Sequence, residues 1–176
     1  KGAACQEIFI DGNSPDGTME DAKAVAQADP RVQCIRRVGR RGLAGGVIEG
    51  ALASSAPVIA VIDADLQHDE TLLPAMLRLI QDDEADMVVA SRYLDPEGLS
   101  SGLSRTRQHG SRLATWMRRQ VLKNQVSDPV SGYFMARRGV WEAFSPRLST
   151  PGFKTPFDLL DSVPAPIGAA ELSYRF

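Results

Sequence analysis

Residues 56–69 read APVIAVIDADLQHD, the longest unbroken apolar run of the chain followed at once by an acidic cluster. The run covers residues 56–62. It suits a buried strand and is far shorter than the roughly 20 residues of a membrane-spanning helix. In open α/β sheets, ligands bind outside the carboxyl ends of the strands. The stretch therefore predicts the most buried strand of the sheet, which ends in a binding loop containing Asp63 and Asp65.

Strand-like and helix-like segments alternate on both sides of this stretch, which is typical of an α/β fold with a mostly parallel sheet flanked by helices. We expect one domain over residues 1–176, because the sequence has no internal repeat and no clear linker. A doubly wound domain normally begins with an earlier strand and helix, so we also expect a fragment or a shortened homologue, truncated at both ends. Predicted strands cover residues 7–11, 32–36, 57–62, 85–90, 133–137 and 172–176, and predicted helices cover residues 18–28, 43–54, 70–82, 103–123, 140–144 and 156–160.

Composition excludes several classes of protein. Hydrophobic residues make up 43% of the 176 residues and charged residues 24%, which is typical of a folded globular chain rather than a disordered one. Cys5 and Cys34 are too few for a disulfide framework and lack zinc spacing, so a reducing compartment is expected. The net charge of −2 and the absence of a recognised module argue against nucleic-acid binding.

The charge is distributed unevenly along the chain. Residues 1–98 carry a net charge of −8 and residues 99–176 one of +6. This asymmetry predicts a cation site in the first part and an anionic partner for the second, or else two oppositely charged solvated faces.

The acidic cluster is the strongest candidate site. Asp63 and Asp65 are two residues apart on an irregular segment, so both carboxylates can turn toward one hard cation, and Gln67 can add a neutral oxygen. Mg2+ or Mn2+ bound in this way typically holds a diphosphate. The alternative is that these residues only cap a turn, and His68 is interpreted as a loop or helix-start residue.

Four other segments carry candidate groups, each with a structural alternative. Residues 11–18 form a loop that can bind a nucleotide or simply make a turn. Residues 39–46 place glycines and arginines at a helix start, as an anion site or as a site of close packing. Arg92, at a strand end, can reach a phosphate or pair with an acid. Asp128, before a proline, is a candidate base, phosphate-side organiser or turn cap.

The predicted helix over residues 103–123 is basic on one side and apolar on the other. Its arginines and apolar residues fit the headgroups and the interface of a membrane surface, and an ordinary packed helix with a solvated basic face is the alternative. The residues concerned are Arg105, Arg107, Arg112, Arg118, Arg119 and Lys123, with Leu113, Trp116, Met117 and Val121 at helical spacing.

Together these blocks resemble the family 2 glycosyltransferases of GT-A fold, and among them the polyprenyl (dolichyl) phosphate mannosyltransferases most closely. The resemblance extends from residue 7 to about residue 175 and rests on six blocks in the family's order. These blocks are residues 11–18, 39–42, 63–69, 91–93, 127–133 and 152–154.

The resemblance implies a role for each matching residue. Asp63, Asp65 and Gln67 are implied to hold the Mg2+ or Mn2+ ion on the donor diphosphate, and Asp11 is implied to lie near the donor's base or ribose. Donor and acceptor phosphates are implied to meet Arg92, Lys154 and an arginine in the Arg105 or Arg107 region. The implied catalytic set is Asp65, Arg92, Asp128 and Lys154.

The implied reaction transfers mannose, with inversion, from the nucleotide-sugar donor GDP-mannose to a polyprenyl phosphate. The resemblance also implies that the enzyme binds peripherally to the cytoplasmic face of a membrane. An acceptor phosphate is already an anion, which leaves Asp128 a positioning role, whereas a saccharide hydroxyl would need Asp128 as a base. The chain departs from the family at Asp11-Gly12, where two acids are usual, and in the absent first strand. A non-catalytic nucleotide-sugar-binding module and a transferase with a saccharide acceptor are the alternatives.

Overall fold

A computed structural model describes residues 5–39, 42–92, 126–128, 131–144 and 167–173. By its internal contacts the chain divides into two compact units, Lys1–Ala56 and Pro57–Phe176. The predictions over residues 103–123 and 156–160 lie outside the described residues. The single-domain assignment stays a prediction.

The first unit alternates strands and helices as its hydrophobic pattern predicts. Its elements are β1 (Glu7–Asp11), α1 (Thr18–Ala28), β2 (Val32–Arg36) and α2 (Leu43–Ala53). The strands β1 and β2 pair in parallel, and the pairing ends with Asp11 opposite Arg36. Helix α1 begins after Gly17, whose φ of +91° is accessible to glycine at little cost, and it buries Met19 against the strands.

The second unit contains the strand predicted before the acidic loop, within a mixed sheet. Its elements are β3 (Val58–Val61), a 3₁₀ turn (Glu70–Leu72), α3 (Leu73–Gln81), β4 (Met87–Ser91), β5 (Phe134–Arg137), α4 (Arg138–Phe144) and β6 (Ala169–Ser173). The helix predicted over residues 70–82 starts as the 3₁₀ turn, which Asp69 caps as expected. Pro74 lies in the first turn of α3, where a backbone N–H has no acceptor within the helix, so proline removes no helical hydrogen bond.

The four strands described in the second unit are ordered β3-β5-β4-β6. The prediction that residues 57–62 form the most buried strand was wrong: β3 is half-buried or exposed, because one of its edges pairs with no described strand, and the fully buried strand is β4. β5 is antiparallel to β3 and β4, whereas β6 is parallel to β4. The last strand starts at Ala169 rather than residue 172 because it pairs with β4 from Met87 onward. This order brings the carboxyl ends of β3, β4 and β6 and the amino end of β5 to one edge of the sheet.

The core of the second unit surrounds β4, all of whose residues are buried. Met76 and Ile80 of α3 pack in the same apolar cluster as Val88 and are themselves fully buried. A strand without an exposed residue gives a rigid base for the groups that follow its end. Arg92 is the first of these groups.

Candidate functional site

The acidic loop starts where β3 ends and is shaped by its own side chains. A carboxylate oxygen of Asp65 accepts a hydrogen bond from the backbone N–H of Gln67 at 3.0 Å. Between them, Leu66 adopts a φ of +60°, an uncommon conformation for leucine, and its side chain is fully exposed. Asp65 and Gln67 are also exposed, so the loop presents both polar side chains to solvent.

The Asp63 carboxylate lies directly over the Cα atom of Gly132. A Cβ atom on Gly132 would lie 1.9 Å from Oδ2, 2.6 Å from Cγ and 3.0 Å from Oδ1 of Asp63. Nε2 of His68 is 3.8 Å from the same Oδ2 atom. Gly132 is therefore the residue that allows the carboxylate to occupy this position.

The other end of the loop is held by Tyr133, immediately before β5. The ring centroids of His68 and Tyr133 are 5.4 Å apart, and the Tyr133 hydroxyl donates a hydrogen bond to the backbone oxygen of Asp69 at 3.1 Å. Only 6% of the His68 side chain is exposed. His68 is thus more than a loop residue, since its ring packs the loop against the strand that follows Gly132.

The loop has the donor chemistry of a hard divalent cation. Two carboxylates and one amide oxygen, from Asp63, Asp65 and Gln67, are ligands of the kind that Mg2+ and Mn2+ prefer. Within the ranges that the structure describes, no three His, Cys, Asp or Glu side chains converge on one point. A cation here would thus take its remaining ligands from outside this pair of carboxylates, as Mg2+ usually does.

A second polar group follows the end of β4, two strands away from β3. Asp128 is fully buried, and its carboxylate accepts two hydrogen bonds from Arg92, from Nε at 2.9 Å and from Nη2 at 3.3 Å. The Arg92 side chain is 36% exposed. Of the roles left open for Asp128, this geometry favours the organiser, because both of its oxygens are held by Arg92.

Ser131 connects the two groups. Its hydroxyl donates to the backbone oxygen of Ala90 at 2.7 Å and accepts from the N–H of Tyr133 at 3.2 Å. Since Gly132 underlies Asp63, residues 131–133 fix the start of β5 to both the β3 loop and the end of β4. The topology that places β5 between β3 and β4 therefore brings the acidic loop and the Arg92–Asp128 pair to the same sheet edge.

In the first unit, Asp11 closes a turn. Its carboxylate accepts from the backbone N–H groups of Asn13 at 3.0 Å and Ser14 at 3.0 and 3.2 Å. A side-chain hydrogen bond with Ser14, and then the backbone bonds from Ser14 and Asn13, hold the pKa of Asp11 below its ordinary value. The turn that the sequence allows is therefore present, and the nucleotide contact stays a prediction.

This turn has an expected consequence at acid pH. A carboxyl group with a lowered folded-state pKa stabilises the protein above its unfolded-state pKa of about 4, and this contribution disappears as the pH falls through the lower folded-state value. We therefore expect the unfolding midpoint of Asp11→Asn to lie below that of the wild type at neutral pH and to converge with it below about pH 4. Thermal unfolding across pH measures this, with the exposed Glu7→Gln as control. A difference independent of pH would contradict it.

The glycines at the start of α2 pack around Arg37, an arginine that carries no predicted role. Arg37 is buried, donates to the backbone oxygen of Gly42 at 2.7 Å and forms an ion pair with Glu49 at 3.3 Å. A Cβ atom on Gly45 would lie 2.5 Å from Nη2 of Arg37. Close packing thus explains this glycine, while Arg40 and Arg41 lie outside the described residues.

Three predicted site residues are not among those described: Arg105, Arg107 and Lys154. Over the described segments, no helix combines the length and apolarity needed to cross a membrane. The residues of the site whose roles were not anticipated include Gly132, which supports Asp63, and Glu171, which binds the segment containing Asp128. Gly132 lies in a block that was recognised, but only the distance to Asp63 identifies its role.

The sequence profile of glycosyl transferase family 2 matches residues 2–144. The chain belongs to this family. This family 2 chain is 31% identical over 174 residues to the dolichol-phosphate mannosyltransferase of Saccharomyces cerevisiae, covering 96% of the chain and 64% of that protein. It is 34% identical over 155 residues to the dolichol-phosphate mannosyltransferase of Pyrococcus furiosus, covering 87% of the chain and 43% of that protein. The chain thus spans less than two thirds of the length of these relatives.

Solved structures show the fold of this family 2 chain. A mannosyltransferase from Pyrobaculum calidifontis in complex with GDP-Man and Mn2+ has a TM-score of 0.61 at 15% identity, over 96% of this chain and 45% of that one. Glucosyl-3-phosphoglycerate synthase from Mycobacterium tuberculosis, in complex with Mn2+, UDP-glucose and phosphoglyceric acid, has a TM-score of 0.53 at 18% identity, over 96% and 59%. The chain has the GT-A fold, as the sequence predicted.

Proposed function

We propose that this chain carries the donor-binding core of an inverting glycosyltransferase that moves mannose from GDP-mannose to a polyprenyl phosphate. The observation that carries the proposal is that a loop with two carboxylates and an arginine held by a buried acid follow strands whose carboxyl ends lie at one sheet edge. The names of the curated relatives support the reaction, since dolichol-phosphate mannosyltransferases are among them.

The roles follow from the chemistry of the side chains. Asp63, Asp65 and Gln67 are the residues that would hold a divalent ion, Mg2+ or Mn2+, at the donor site. A bound divalent ion stabilises the negative charge that develops on the leaving nucleoside diphosphate. Among these three residues we assign the catalytic role to Asp65, whose side chain is exposed at the turn of the loop, where a donor can reach it.

Arg92 adds a fixed positive charge for a phosphate. Its guanidinium is held on one side by the buried Asp128, and 36% of its side chain is exposed to meet an anion. Asp128 acts as the positioning group, because a polyprenyl phosphate acceptor is already ionised near neutral pH and needs no strong base. Asp11, Arg105, Arg107 and Lys154 keep the donor and phosphate roles that the family resemblance implies.

The basic segment over residues 103–123 supports peripheral docking at the cytoplasmic face of a membrane. Its arginines suit anionic headgroups, and a polyprenyl phosphate presents its own anionic head at that surface.

The test measures unfolding with a panel of donors. We expect GDP-mannose with Mn2+, at about 100 times its dissociation constant, to raise the free energy of unfolding by roughly 2.7 kcal/mol, whereas UDP-glucose and UDP-GlcNAc give smaller shifts. EDTA should abolish the shift. Asp65→Asn should abolish it too, while the exposed acid change Asp82→Asn should leave it intact.

A transfer assay separates the alternatives. Radiolabelled mannose should appear on a short polyprenyl phosphate and be absent from saccharide acceptors. Binding without transfer to either acceptor would favour the non-catalytic module, transfer to a saccharide would favour the other acceptor class, and no shift with any donor would overturn the donor site of this chain.

A further inference from the structure

Glu171 lies on β6 and binds the segment that contains Asp128. Its Oε1 atom accepts hydrogen bonds from the backbone N–H of Ser127 at 2.7 Å, from the Ser127 hydroxyl at 2.9 Å and from the backbone N–H of Asp128 at 3.3 Å. Two successive amides and a hydroxyl thus converge on one carboxylate oxygen. Hydrogen bonds to an ionised acceptor are stronger than those to a neutral one.

This contact is built on a rigid part of the sheet. Glu171 pairs in register with Val89 of β4, which is fully buried. A residue of β4 contacts the same segment, since the hydroxyl groups of Ser91 and Ser127 form a hydrogen bond with 2.7 Å between their oxygens. The backbone of residues 127 and 128 is therefore held by two neighbouring strands.

Holding this backbone determines where the Asp128 carboxylate lies. That carboxylate is fully buried and receives two hydrogen bonds from Arg92, so its position sets the orientation of the guanidinium. A planar guanidinium binds a phosphate well only when its N–H groups are correctly aimed. We propose that Glu171 is a positioning residue that aligns Arg92 through Asp128 for binding the donor phosphate. This inference rests on the proposed function.

The first experiment needs no ligand. In Glu171→Ala, hydrogen exchange measured by NMR should become faster at the backbone amides of Ser127 and Asp128 and at the Nε–H of Arg92. Glu142→Ala is the matched control, because Glu142 is a glutamate of the same unit with a 59% exposed side chain. Unchanged exchange at these three groups in Glu171→Ala would overturn the positioning role.

The second experiment measures the affinity for GDP-mannose with Mn2+. Glu171→Ala should bind roughly 10-fold more weakly, and Glu171→Gln, which keeps an acceptor oxygen, should recover part of the loss. Arg92→Lys removes the planar guanidinium that Glu171 is proposed to align. In this background, Glu171→Ala should weaken GDP-mannose binding by clearly less than 10-fold.

Additive losses in the double variant would overturn the proposed route through Arg92. Should Glu171→Ala fail to fold, the comparison is made with Glu171→Gln. If the wild-type chain bound no GDP-mannose, the proposed donor site would be refuted. Arg92 could then not be aligned for binding the donor phosphate. The exchange experiment would still decide whether Glu171 holds Asp128 and Arg92.

Discussion

Gly132→Ala is expected to weaken metal-dependent binding of GDP-mannose by roughly 100-fold, because the new methyl group would occupy the place of the Asp63 carboxylate. The added Cβ atom would lie 1.9 Å from Oδ2 of Asp63, and all three carboxyl atoms would lie within 3.0 Å of it. The overlapping atoms belong to Asp63 itself, so only a rotation of the Asp63 side chain can relieve the contact.

The loss should affect binding more than folding. The Asp63 side chain is 37% exposed, so a rotated carboxylate can be solvated. Mg2+ and Mn2+ sites tolerate little displacement of a ligand, since the geometry around the ion is close to octahedral. Titration calorimetry with GDP-mannose and Mn2+ measures the affinity, and circular dichroism measures the fold.

Gly139→Ala is the matched control. A Cβ atom on Gly139, in helix α4, meets nothing within 4 Å. Alanine is also the better helix former, so this variant should keep wild-type affinity and gain up to about 1 kcal/mol of stability. If Gly132→Ala bound the donor as tightly as Gly139→Ala, Asp63 would not be needed where the structure places it.

Asp128→Ala is expected to lower the free energy of unfolding by about 2–3 kcal/mol. The carboxylate is fully buried and holds Arg92 through two hydrogen bonds, and breaking a buried ion pair typically costs about 3–5 kcal/mol. The lower value applies because the Arg92 side chain is 36% exposed and water can solvate it after the change.

Chemical denaturation measures this effect, with Glu142→Ala as control. The pair between Arg138 and Glu142 joins atoms 3.9 Å apart, and the Glu142 side chain is 59% exposed, so its removal should cost less than about 1 kcal/mol. Equal losses in the two variants would show that the Arg92–Asp128 pair does not stabilise the fold as proposed. Arg92→Ala supplies an independent check, since it leaves Asp128 buried without its ion-pair partner and should cost at least as much.

Local pattern was sufficient for most of the architecture. The seven-residue apolar run before Asp63 and the alternation around it predicted β3 and the helices on either side, because burial of apolar faces dictates periodicity. The same pattern indicated that Asp63, Asp65 and Arg92 follow strand ends. It did not reveal that β5 runs antiparallel, since a short buried strand has the same composition in either direction.

The sequence by itself determined the α/β class, the family and the acids and arginine that the proposed chemistry needs. Only the tertiary structure decided which of these groups meet. Asp63 meets Gly132, and Asp128 meets Arg92 and Glu171, across separations of 36 to 69 residues in the chain. The physical reason is that strand order, not neighbouring sequence, brings these residues to one sheet edge. The sequence around Gly132 does not indicate that Asp63 lies over it. The sequence around Glu171 likewise does not indicate that it accepts hydrogen bonds from residues 127 and 128.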